Sequence, residues 1–300
     1  DEVKALKPGA MVIAMIDPYG DRADLDALAA TKASLFSMEF MPRITRAQSM
    51  DVLSSQANLA GYKAVVDAAS MFGQAVPMMM TAAGTVPAAK VFIMGVGVAG
   101  LQAIATARRL GAIVSATDVR PATKEQVASL GAKFIAVEDE EFKQAQTAAG
   151  YAKPMSAEYQ KKQAELVANH IKIQDIVITT ALIPGRPAPR LITKEMVASM
   201  KPGSVIVDLA AERGGNCELT EPGKTIETGG VKIAGPLNLA GTVPVNASSL
   251  YAKNVLTFLE TMFDKKEKTL QVNWDDEIIK GTLVAKDGAV VHPNLAQKPA

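Results

Sequence analysis

The 300-residue chain carries 32 Lys and Arg against 31 Asp and Glu, and 48% of its residues are hydrophobic. This length allows one or two globular domains with a sizeable core. The net charge of +1 gives no electrostatic reason to expect nucleic acid or an anionic membrane as a partner. Cys217 is the only cysteine, so no disulfide can form within the chain, and a reducing compartment is indicated.

The first 40 residues contain a single αβ repeat. Residues 10–16 and 33–39 have the composition of short strands, and residues 21–30 between them are typical of a helix. The chain opens at Asp1 without an initiator Met or a signal peptide, so we expect it to be part of a longer protein. We predict a partly missing first α/β subdomain, formed by residues 1–42 together with 248–300.

A polar cluster precedes a long helix, rich in Ala and Ser, that ends near residue 72. Thr45 and Gln48 have the spacing of a capping box, and Gln48, Asp51 and Ser55 would share one helical face. Periodicity favours a solvated polar face, and a cluster presented to a ligand stays open as the alternative. The remaining members of the cluster are Arg43, Arg46 and Ser54.

Residues 74–89 form an apolar connector in which Met78, Met79 and Met80 are consecutive. Three consecutive residues cannot share a helical face, so we expect core filling, with a flexible contact surface as the alternative. Prolines and glycines interrupt the apolar window 75–107, which therefore indicates a buried loop, strand and helix rather than a membrane span.

Lys90 to Gly100, KVFIMGVGVAG, joins an apolar run to the spacing G-x-G-x-x-G. Such a run is typical of a central parallel strand covered on both faces, and residues 98–110 are typical of the helix that follows it. In a dinucleotide-binding fold, Gly95 would permit a tight turn and Gly97 would let the backbone approach a pyrophosphate. Gly100 would let the helix pack against the strand. A glycine-rich turn without a ligand is the alternative.

Asp118 bears on which dinucleotide would bind. It ends a second strand, residues 113–117, about 20 residues past the glycines, where a carboxylate would hold the adenosine ribose of NAD. Arg120 is the opposing signal, because an arginine can accept the 2′-phosphate of NADP. The presence of the carboxylate favours NAD.

Strands and helices continue to alternate after Asp118, which predicts a doubly wound parallel sheet of the Rossmann type with right-handed crossovers. We assign residues 43–247 to this NAD(H)-binding subdomain, with the long helix leading it. Thr123 and Gln126 have the spacing of another capping box. The expected strands are 133–137, 175–181, 204–210 and a pair about Gly229–Gly230; the expected helices are 123–130, 157–173, 193–200 and 246–262, before a short meander at 268–291.

The sequence offers no obvious proton-transfer site. A dehydrogenase acting on a hydroxyl or amine needs a general base, usually His or Lys. His170 ends a charged helix and His292 lies in the C-terminal tail, so both are typical of surface histidines. Cys217 is interpreted as inert, and no metal-ligand spacing occurs. A nucleotide site without a general base suits hydride transfer between two nicotinamides, in which no substrate proton moves.

Four segments resemble the NAD(H)-binding component of the proton-translocating nicotinamide nucleotide transhydrogenases. They are PRITRAQSMDVLSSQANLAGYKAV, PMMMTAAGTVPAAKVFIMGVGVAGLQAIATA, TTALIPGRPAPRLIT and GSVIVDLAAERGGN. The resemblance implies a component that passes hydride from NADH to NADP+ on a separate NADP(H)-binding component, while a membrane component couples the transfer to proton movement. It also implies a cytoplasmic homodimer, attached peripherally to the inner membrane through these partners.

The resemblance also implies roles for individual residues. The family's loop beside the nicotinamide maps onto Arg43, Gln48, Asp51 and Ser54; Arg43 and Asp51 would hold the nicotinamide and its ribose, and Gln48 would reach toward NADP(H). Tyr151 falls on the family's mobile loop, which closes over bound nucleotide. The other residues expected to line the site are Ile44, Thr45, Arg46, Val98, Val119, Arg120, Gly150 and Leu182.

Two other functions stay open. Alanine dehydrogenases share segments like ALIPGRPAP and GSVIVDLA, but their substrate-binding Lys and His belong mainly to a portion that is missing or different here, and residues 14–19, AMIDPY, offer no His. A self-contained amino-acid dehydrogenase is therefore the second candidate. A non-catalytic NAD(H)-binding module is the third, because the second nucleotide must come from a partner.

Overall fold

The computed structural model describes residues 2–145 and 155–295. Its α-helices are α1 (Glu2–Ala5), α2 (Arg22–Ala30), α3 (Val52–Met71), α4 (Val98–Arg109), α5 (Thr123–Ser129), α6 (Glu140–Lys143), α7 (Ala157–Ile171), α8 (Lys194–Ala198), α9 (Pro244–Glu260) and α10 (Glu277–Thr282). Its strands are β1 (Met11–Ala14), β2 (Ser34–Ser37), β3 (Met79–Thr81), β4 (Gly84–Val86), β5 (Lys90–Met94), β6 (Ile113–Thr117), β7 (Lys133–Phe134), β8 (Ile176–Thr179), β9 (Val205–Asp208), β10 (Thr225–Thr228), β11 (Val231–Ala234), β12 (Phe263–Asp264), β13 (Thr269–Leu270), β14 (Leu283–Lys286) and β15 (Ala289–Val290).

The chain divides into two compact units. The first contains the residues up to Gln56 and those from Pro244 onward, and the second is Ala57–Val243. Residues 43–56, which the sequence placed with the nucleotide-binding subdomain, cluster with the first unit. The physical reason is a shared core, in which Met50 and Val52 are buried together with Phe258.

The second unit is built on a seven-stranded sheet in the order β10-β11-β9-β8-β5-β6-β7. Only the edge pair β10 and β11 is antiparallel; the other neighbours run parallel. Numbered along the chain, the six parallel strands follow 3-2-1-4-5-6, the order of the doubly wound dinucleotide-binding fold. The predicted fold class is confirmed, and the strand order reverses between β5 and β8.

The apolar run of β5 is explained by cover on both faces of this sheet. Val91 and Ile93 belong to a core cluster with residues of α3 and α4, whereas Phe92 and Met94 belong to a second cluster with residues of α7 and α8. Successive side chains of a strand point to opposite faces, so a strand buried on both sides has no polar positions.

Small residues let α3 and α4 pack closely, as the composition of α3 predicted. A Cβ atom added at Gly61 in α3 would overlap the carbonyl group of Ala99 in α4. Any larger residue at this position would therefore push the helices apart.

The first unit contains a four-stranded sheet in the order β1-β2-β14-β15. Strands β1 and β2 run parallel, and β14 runs antiparallel to β2. The meander expected at 268–291 is interrupted by α10, because Asp276 caps that helix by accepting a hydrogen bond from the Ile278 amide at 2.8 Å.

Three other expectations are corrected. Met78, Met79 and Met80 do not fill the core: they are 55%, 41% and 82% exposed, next to or within the hairpin of β3 and β4. The strand expected at 133–137 shortens to β7, which pairs with β6 through two residues. Thr123 does not cap α5, since its hydroxyl donates back to the Arg120 carbonyl at 2.7 Å.

Among the described residues, no helix is both long and apolar enough to cross a membrane.

Candidate functional site

The glycine turn lies at the carboxyl end of β5, where the strand order reverses. Gly95 has φ +100°, a conformation that suits glycine, and an added Cβ would lie 2.6 Å from the Thr180 hydroxyl oxygen. The Gly95 carbonyl accepts a hydrogen bond from that hydroxyl at 3.0 Å, and its amide donates to the Thr117 carbonyl at 2.9 Å. The turn is thereby tied to the ends of both neighbouring strands, β6 and β8.

Gly97 and Gly100 serve different purposes. A Cβ at Gly100 would overlap the Gly95 carbonyl oxygen, so the fold itself requires glycine there. A Cβ at Gly97 would meet no protein atom within 4 Å, and its φ of −83° is open to any residue. The absence of a side chain at Gly97 therefore keeps open a space outside the protein.

This space adjoins the start of α4. Gly97 is the N-cap residue of this 12-residue helix and provides no side-chain cap, and the first turn of the helix holds no acidic residue. The amide groups at a helix start carry partial positive charge and suit an anion such as a phosphate.

Asp118 follows β6 and is joined to the glycine turn. Its Oδ2 accepts a hydrogen bond from the Val96 amide at 2.7 Å and from Arg120 Nη2 at 2.9 Å. Its Oδ1 accepts from the Arg120 amide and from Arg120 Nε, both at 2.9 Å. The bonded carboxylate raises the pKa of the Arg120 guanidinium. The Asp118 carboxylate is thus fixed beside the turn, with Arg120 as its counter-charge.

Two residues that sequence reasoning missed organise the loops after β8 and β9. Asn216 is fully buried, and its amide group pairs with both the amide and the carbonyl of Ala181, at 3.0 and 2.8 Å. Asp208, also fully buried, accepts four hydrogen bonds at the end of β9. A signal was present, since an acid ends a predicted strand and the segment GGN follows, but their partners are distant in the chain.

The polar cluster is arranged differently from the sequence prediction. Residues Thr45–Met50 form a 3₁₀ helix without a side-chain cap, and α3 begins only after Asp51. Asp51 itself caps α3, because its carboxylate accepts from the Ser54 amide at 2.9 Å and from the Ser54 hydroxyl at 2.5 Å. The predicted capping box of Thr45 and Gln48 is therefore wrong, and Gln48 and Ser55 are not on one helix.

Buried polar contacts hold this segment within the first unit. The Ser55 hydroxyl donates to Asn254 Oδ1 at 2.8 Å, and the Asn254 amide group donates to the Ser49 carbonyl at 2.8 Å. Arg46 makes a two-pronged ion pair with Asp276 at 2.8 and 2.9 Å. Arg43, Thr45 and Gln48 are exposed, and Ile44 is half-buried.

A family model described as alanine dehydrogenase/PNT, C-terminal domain, matches residues 64–293, and the model of the N-terminal domain matches residues 1–60. In Rhodospirillum rubrum, the first of the polypeptides named NAD(P) transhydrogenase subunit alpha is 59% identical over 300 residues, covering 100% of this chain and 78% of that protein. The chain belongs to the NAD(P) transhydrogenase alpha subunits of the alanine dehydrogenase/PNT family.

Other relatives agree with this membership. The NAD(P) transhydrogenase subunit alpha of Haemophilus influenzae is 45% identical over 301 residues, covering 100% of this chain and 58% of that protein. The crystal structure of transhydrogenase from Sinorhizobium meliloti superposes with a TM-score of 0.87 at 64% identity, covering 97% of this chain and 78% of that one. An L-alanine dehydrogenase superposes with a TM-score of 0.78 at 22% identity, covering 99% and 76% of the two chains, which shows a shared fold.

In this transhydrogenase family member, three apolar side chains stay exposed where elements of the parallel sheet end or begin. Val98 starts α4 and is 36% exposed, Val119 follows β6 and is 44% exposed, and Leu182 follows β8 and is 53% exposed. Apolar surface beside fixed polar groups is typical of a ligand cleft. Gly150 and Tyr151 lie outside the described residues.

The interpretation of the histidines as surface residues is wrong for both. His292 is 6% exposed and stacks on Phe40 with ring centroids 4.2 Å apart. His170 is half-buried, with Nε2 2.8 Å from the Ser115 hydroxyl oxygen, and its ring meets Phe92 edge-on. Burial lowers the pKa of both imidazoles, and Lys133 and Lys90 lower that of His170 further. These contacts are those of core residues.

Cys217 and the acidic residues form no other reactive centre in the described ranges. Cys217 is fully buried, and desolvation raises the pKa of its thiol, so the nucleophilic thiolate is disfavoured. The described residues contain no group of three or more His, Cys, Asp or Glu side chains placed to hold a metal ion.

Proposed function

We propose that this chain binds NAD(H) and passes hydride from NADH to NADP+ held by a partner component, a transfer that the full complex couples to proton translocation. The observation that carries the proposal is the open position at Gly97 beside the fixed Asp118 carboxylate, at the point where the strand order of a doubly wound sheet reverses. Dinucleotides bind at such points in this fold. Membership among the transhydrogenase alpha subunits supports the same function.

The residues present fit a dinucleotide. The start of α4 would hold the pyrophosphate, since Gly97 leaves room for it and the helix amides favour negative charge. Asp118 would accept hydrogen bonds from the adenosine ribose. Val98, Val119 and Leu182 would contact the apolar faces of the rings. Gly150 and Tyr151 are proposed to line and close the same site.

The carboxylate favours NAD over NADP. A 2′-phosphate beside Asp118 would meet a negative charge, whereas the 2′-hydroxyl of NAD donates to it. Arg120 offsets part of this charge through its two side-chain hydrogen bonds. We therefore expect discrimination that is clear but smaller than that of an unpaired carboxylate.

The polar segment is proposed to hold the nicotinamide and its ribose. Arg43 and Asp51 would bind these groups, Ser54 would hold Asp51 in place as it does through its hydroxyl, and Gln48 would reach toward the NADP(H) of the partner. Ile44 and Thr45 would line this part of the site. Arg46 would brace the segment through its ion pair with Asp276.

The chemistry needs no general base from this chain. Bound NADH supplies the hydride, and the chain's own residues bind it, orient it and exclude water. The core contacts of His170 and His292 fit this division, since neither imidazole is placed as an exposed base.

The partners are proposed from the family membership. They are an NADP(H)-binding component, a membrane component that conducts protons and a second copy of this chain. The protein would be cytoplasmic and would associate with the inner membrane through these components.

Asp51→Asn tests the proposal without removing the helix cap, because Asn and Asp are similarly good N-cap residues. The variant and the unaltered chain are mixed with an NADP(H)-binding transhydrogenase component, and reduction of NADP+ by NADH is followed. We expect exchange with the unaltered chain and at least roughly tenfold slower exchange or weaker NADH binding with the variant, since a charged hydrogen-bond partner is lost. Asp21→Asn, which alters the cap of α2, is the matched control.

Each alternative function has its own outcome in this experiment. NADH binding without any exchange would favour a non-catalytic NAD(H)-binding module. Alanine-dependent formation of NADH by the chain alone would favour an amino-acid dehydrogenase. An unchanged rate for Asp51→Asn would remove Asp51 from the site.

A further inference from the structure

We propose that Asn216 and Asp208 are positioning residues for the nicotinamide half of the dinucleotide site. This assignment rests on the proposed function and adds residues that lie outside the glycine turn and the polar segment. It starts from the loop after β8, which runs from Thr180 to Leu191 without helix or strand. A loop of this kind keeps one conformation only if other groups satisfy its backbone.

Asn216 supplies those groups. Its Oδ1 accepts from the Ala181 amide at 3.0 Å, and its Nδ2 donates to the carbonyls of Ala181 and Pro189, both at 2.8 Å. One side chain therefore satisfies both backbone groups of Ala181, as a neighbouring strand would. Both donors of the Asn216 amide are used, and the side chain is fully buried.

Ala181 is placed against the glycine turn. A Cβ at Gly95 would lie 3.1 Å from the Ala181 nitrogen and 2.6 Å from the Thr180 hydroxyl oxygen. Leu182 follows at once and is 53% exposed. Fixing Ala181 thus fixes both the wall beside Gly95 and the apolar side chain at the cleft.

Asp208 anchors the segment that carries Asn216. Its carboxylate accepts from the hydroxyls of Thr179 and Thr220 at 2.9 and 2.6 Å. It also accepts from the amides of Ala210 and Cys217, both at 3.0 Å. A fully buried carboxylate is costly unless its oxygens are satisfied, and here four donors satisfy them and bind the end of β8 to the loop after β9.

The position in the sheet indicates which half of the ligand depends on this network. The doubly wound fold consists of two mononucleotide-binding halves. The half that contains β5, β6 and Asp118 would take the adenosine, so the half that contains β8 and β9 would take the nicotinamide. Asn216 and Asp208 connect the ends of these two strands, and none of the hydrogen bonds just described involves Asp118.

The test separates the two halves by titrating the full chain with NADH and with ADP, which lacks the nicotinamide. For Asn216→Ala we expect NADH affinity to fall on the order of tenfold while ADP affinity stays within about twofold, as for the loss of one to two hydrogen bonds. Thr220→Val is a milder second variant that removes one hydrogen bond to Asp208, and the same split is expected at roughly threefold. It keeps the proposal testable if Asn216→Ala fails to fold.

Gln174→Ala is the matched control. Gln174 is a buried amide before β8, at the amino end of the strands and away from the cleft, where it donates to the His170 carbonyl at 3.2 Å. We expect it to lower the melting temperature without a preferential change in NADH affinity. Equal losses of NADH and ADP binding in the Asn216 and Thr220 variants, or no loss of either, would overturn the assignment. Failure of the unaltered chain to bind NADH would instead overturn the proposed function, and the assignment with it.

Discussion

Asp118 carries the charge on which nucleotide choice is expected to depend. Asp118→Asn removes an acceptor for the ribose hydroxyls and leaves the Arg120 guanidinium without its partner. We expect NADH affinity to fall roughly 10- to 100-fold, the range for hydrogen bonds to a charged group, and discrimination against NADPH to shrink. Titration of both nucleotides by fluorescence measures the change.

Asp175→Asn provides the control for that substitution. Asp175 also accepts from a backbone amide, that of Lys90 at 2.8 Å, and from a cation, Lys201 Nζ at 2.9 Å, but it lies at the amino end of the sheet. Equal effects of the two substitutions on NADH binding would contradict the assignment of the ribose to Asp118.

Single residues differ in how well the sequence predicts them. Gly95 and Asp118 were predictable because each has its role within a short motif. Asn216 was missed because Ala181 and Pro189, its partners, are separated from it by 35 and 27 positions. Nothing in the local sequence reveals such a contact before the sheet brings β8 and β9 side by side.

The turn between β5 and α4 makes a prediction at the scale of elements. Gly97→Ala adds a methyl group that meets no protein atom within 4 Å, so the melting temperature should stay unchanged while the pyrophosphate is blocked. Gly100→Ala adds one that overlaps the Gly95 carbonyl, so this variant should lose stability. Thermal unfolding and NADH titration of both variants separate the two effects.

The contradictory outcome is specific to this turn. If Gly97→Ala bound NADH as tightly as the unaltered chain, the space beside Gly97 would not hold the pyrophosphate. Loss of stability in Gly97→Ala would show that a neighbouring group occupies this space.

Elements were predictable where one pattern dominated. The unbroken apolar run of β5 and the small residues of α3 each specified their packing. The helix starts were less predictable, because Thr45 and Thr123 occupy cap-like positions while Asp51 caps α3 and Thr123 turns back to the Arg120 carbonyl. Cap choice depends on where the chain enters the helix, which the spacing of side chains alone does not determine.

The two histidines predict how the stability of the whole molecule changes with pH. Burial lowers the pKa of His170 and His292 in the folded chain below the ordinary value of 6.5. Well above about pH 6.5 both imidazoles are neutral in both states and contribute nothing. Below that pH the unfolded chain takes up protons that the folded chain resists, so stability falls until the pH passes the folded pKa.

Urea unfolding at about pH 7.5 and about pH 5.5 checks this expectation, because carboxyl groups of ordinary or lowered pKa titrate mainly below about pH 5. The free energy of unfolding should be lower at the more acidic pH. Replacing both histidines by Gln should reduce that difference, whatever the stability at the higher pH. An equal difference in the variant would assign the effect to other groups.

At the scale of the molecule, the parallel sheet was predictable and the division of the chain was not. Regular alternation of strands and helices specifies a doubly wound fold. Residues 43–56 carry no local mark that joins them to the first unit, since their burial with Phe258 and Met262 depends on a helix more than 190 positions away, as the separation of 205 between Ser49 and Asn254 illustrates. Long-range packing of this kind also placed Met78–Met80 on the surface, where composition favoured the core.

The central claim, that the chain donates hydride from NADH to a second nicotinamide, is tested most directly by rapid mixing. The full chain loaded with NADH is mixed with an NADP(H)-binding transhydrogenase component loaded with NADP+, and the transfer of deuterium from C4-deuterated NADH is followed. We predict that the label appears in NADPH only when both proteins are present, and that Asp51→Asn slows its appearance. Tight NADH binding with no label in NADPH would contradict the account.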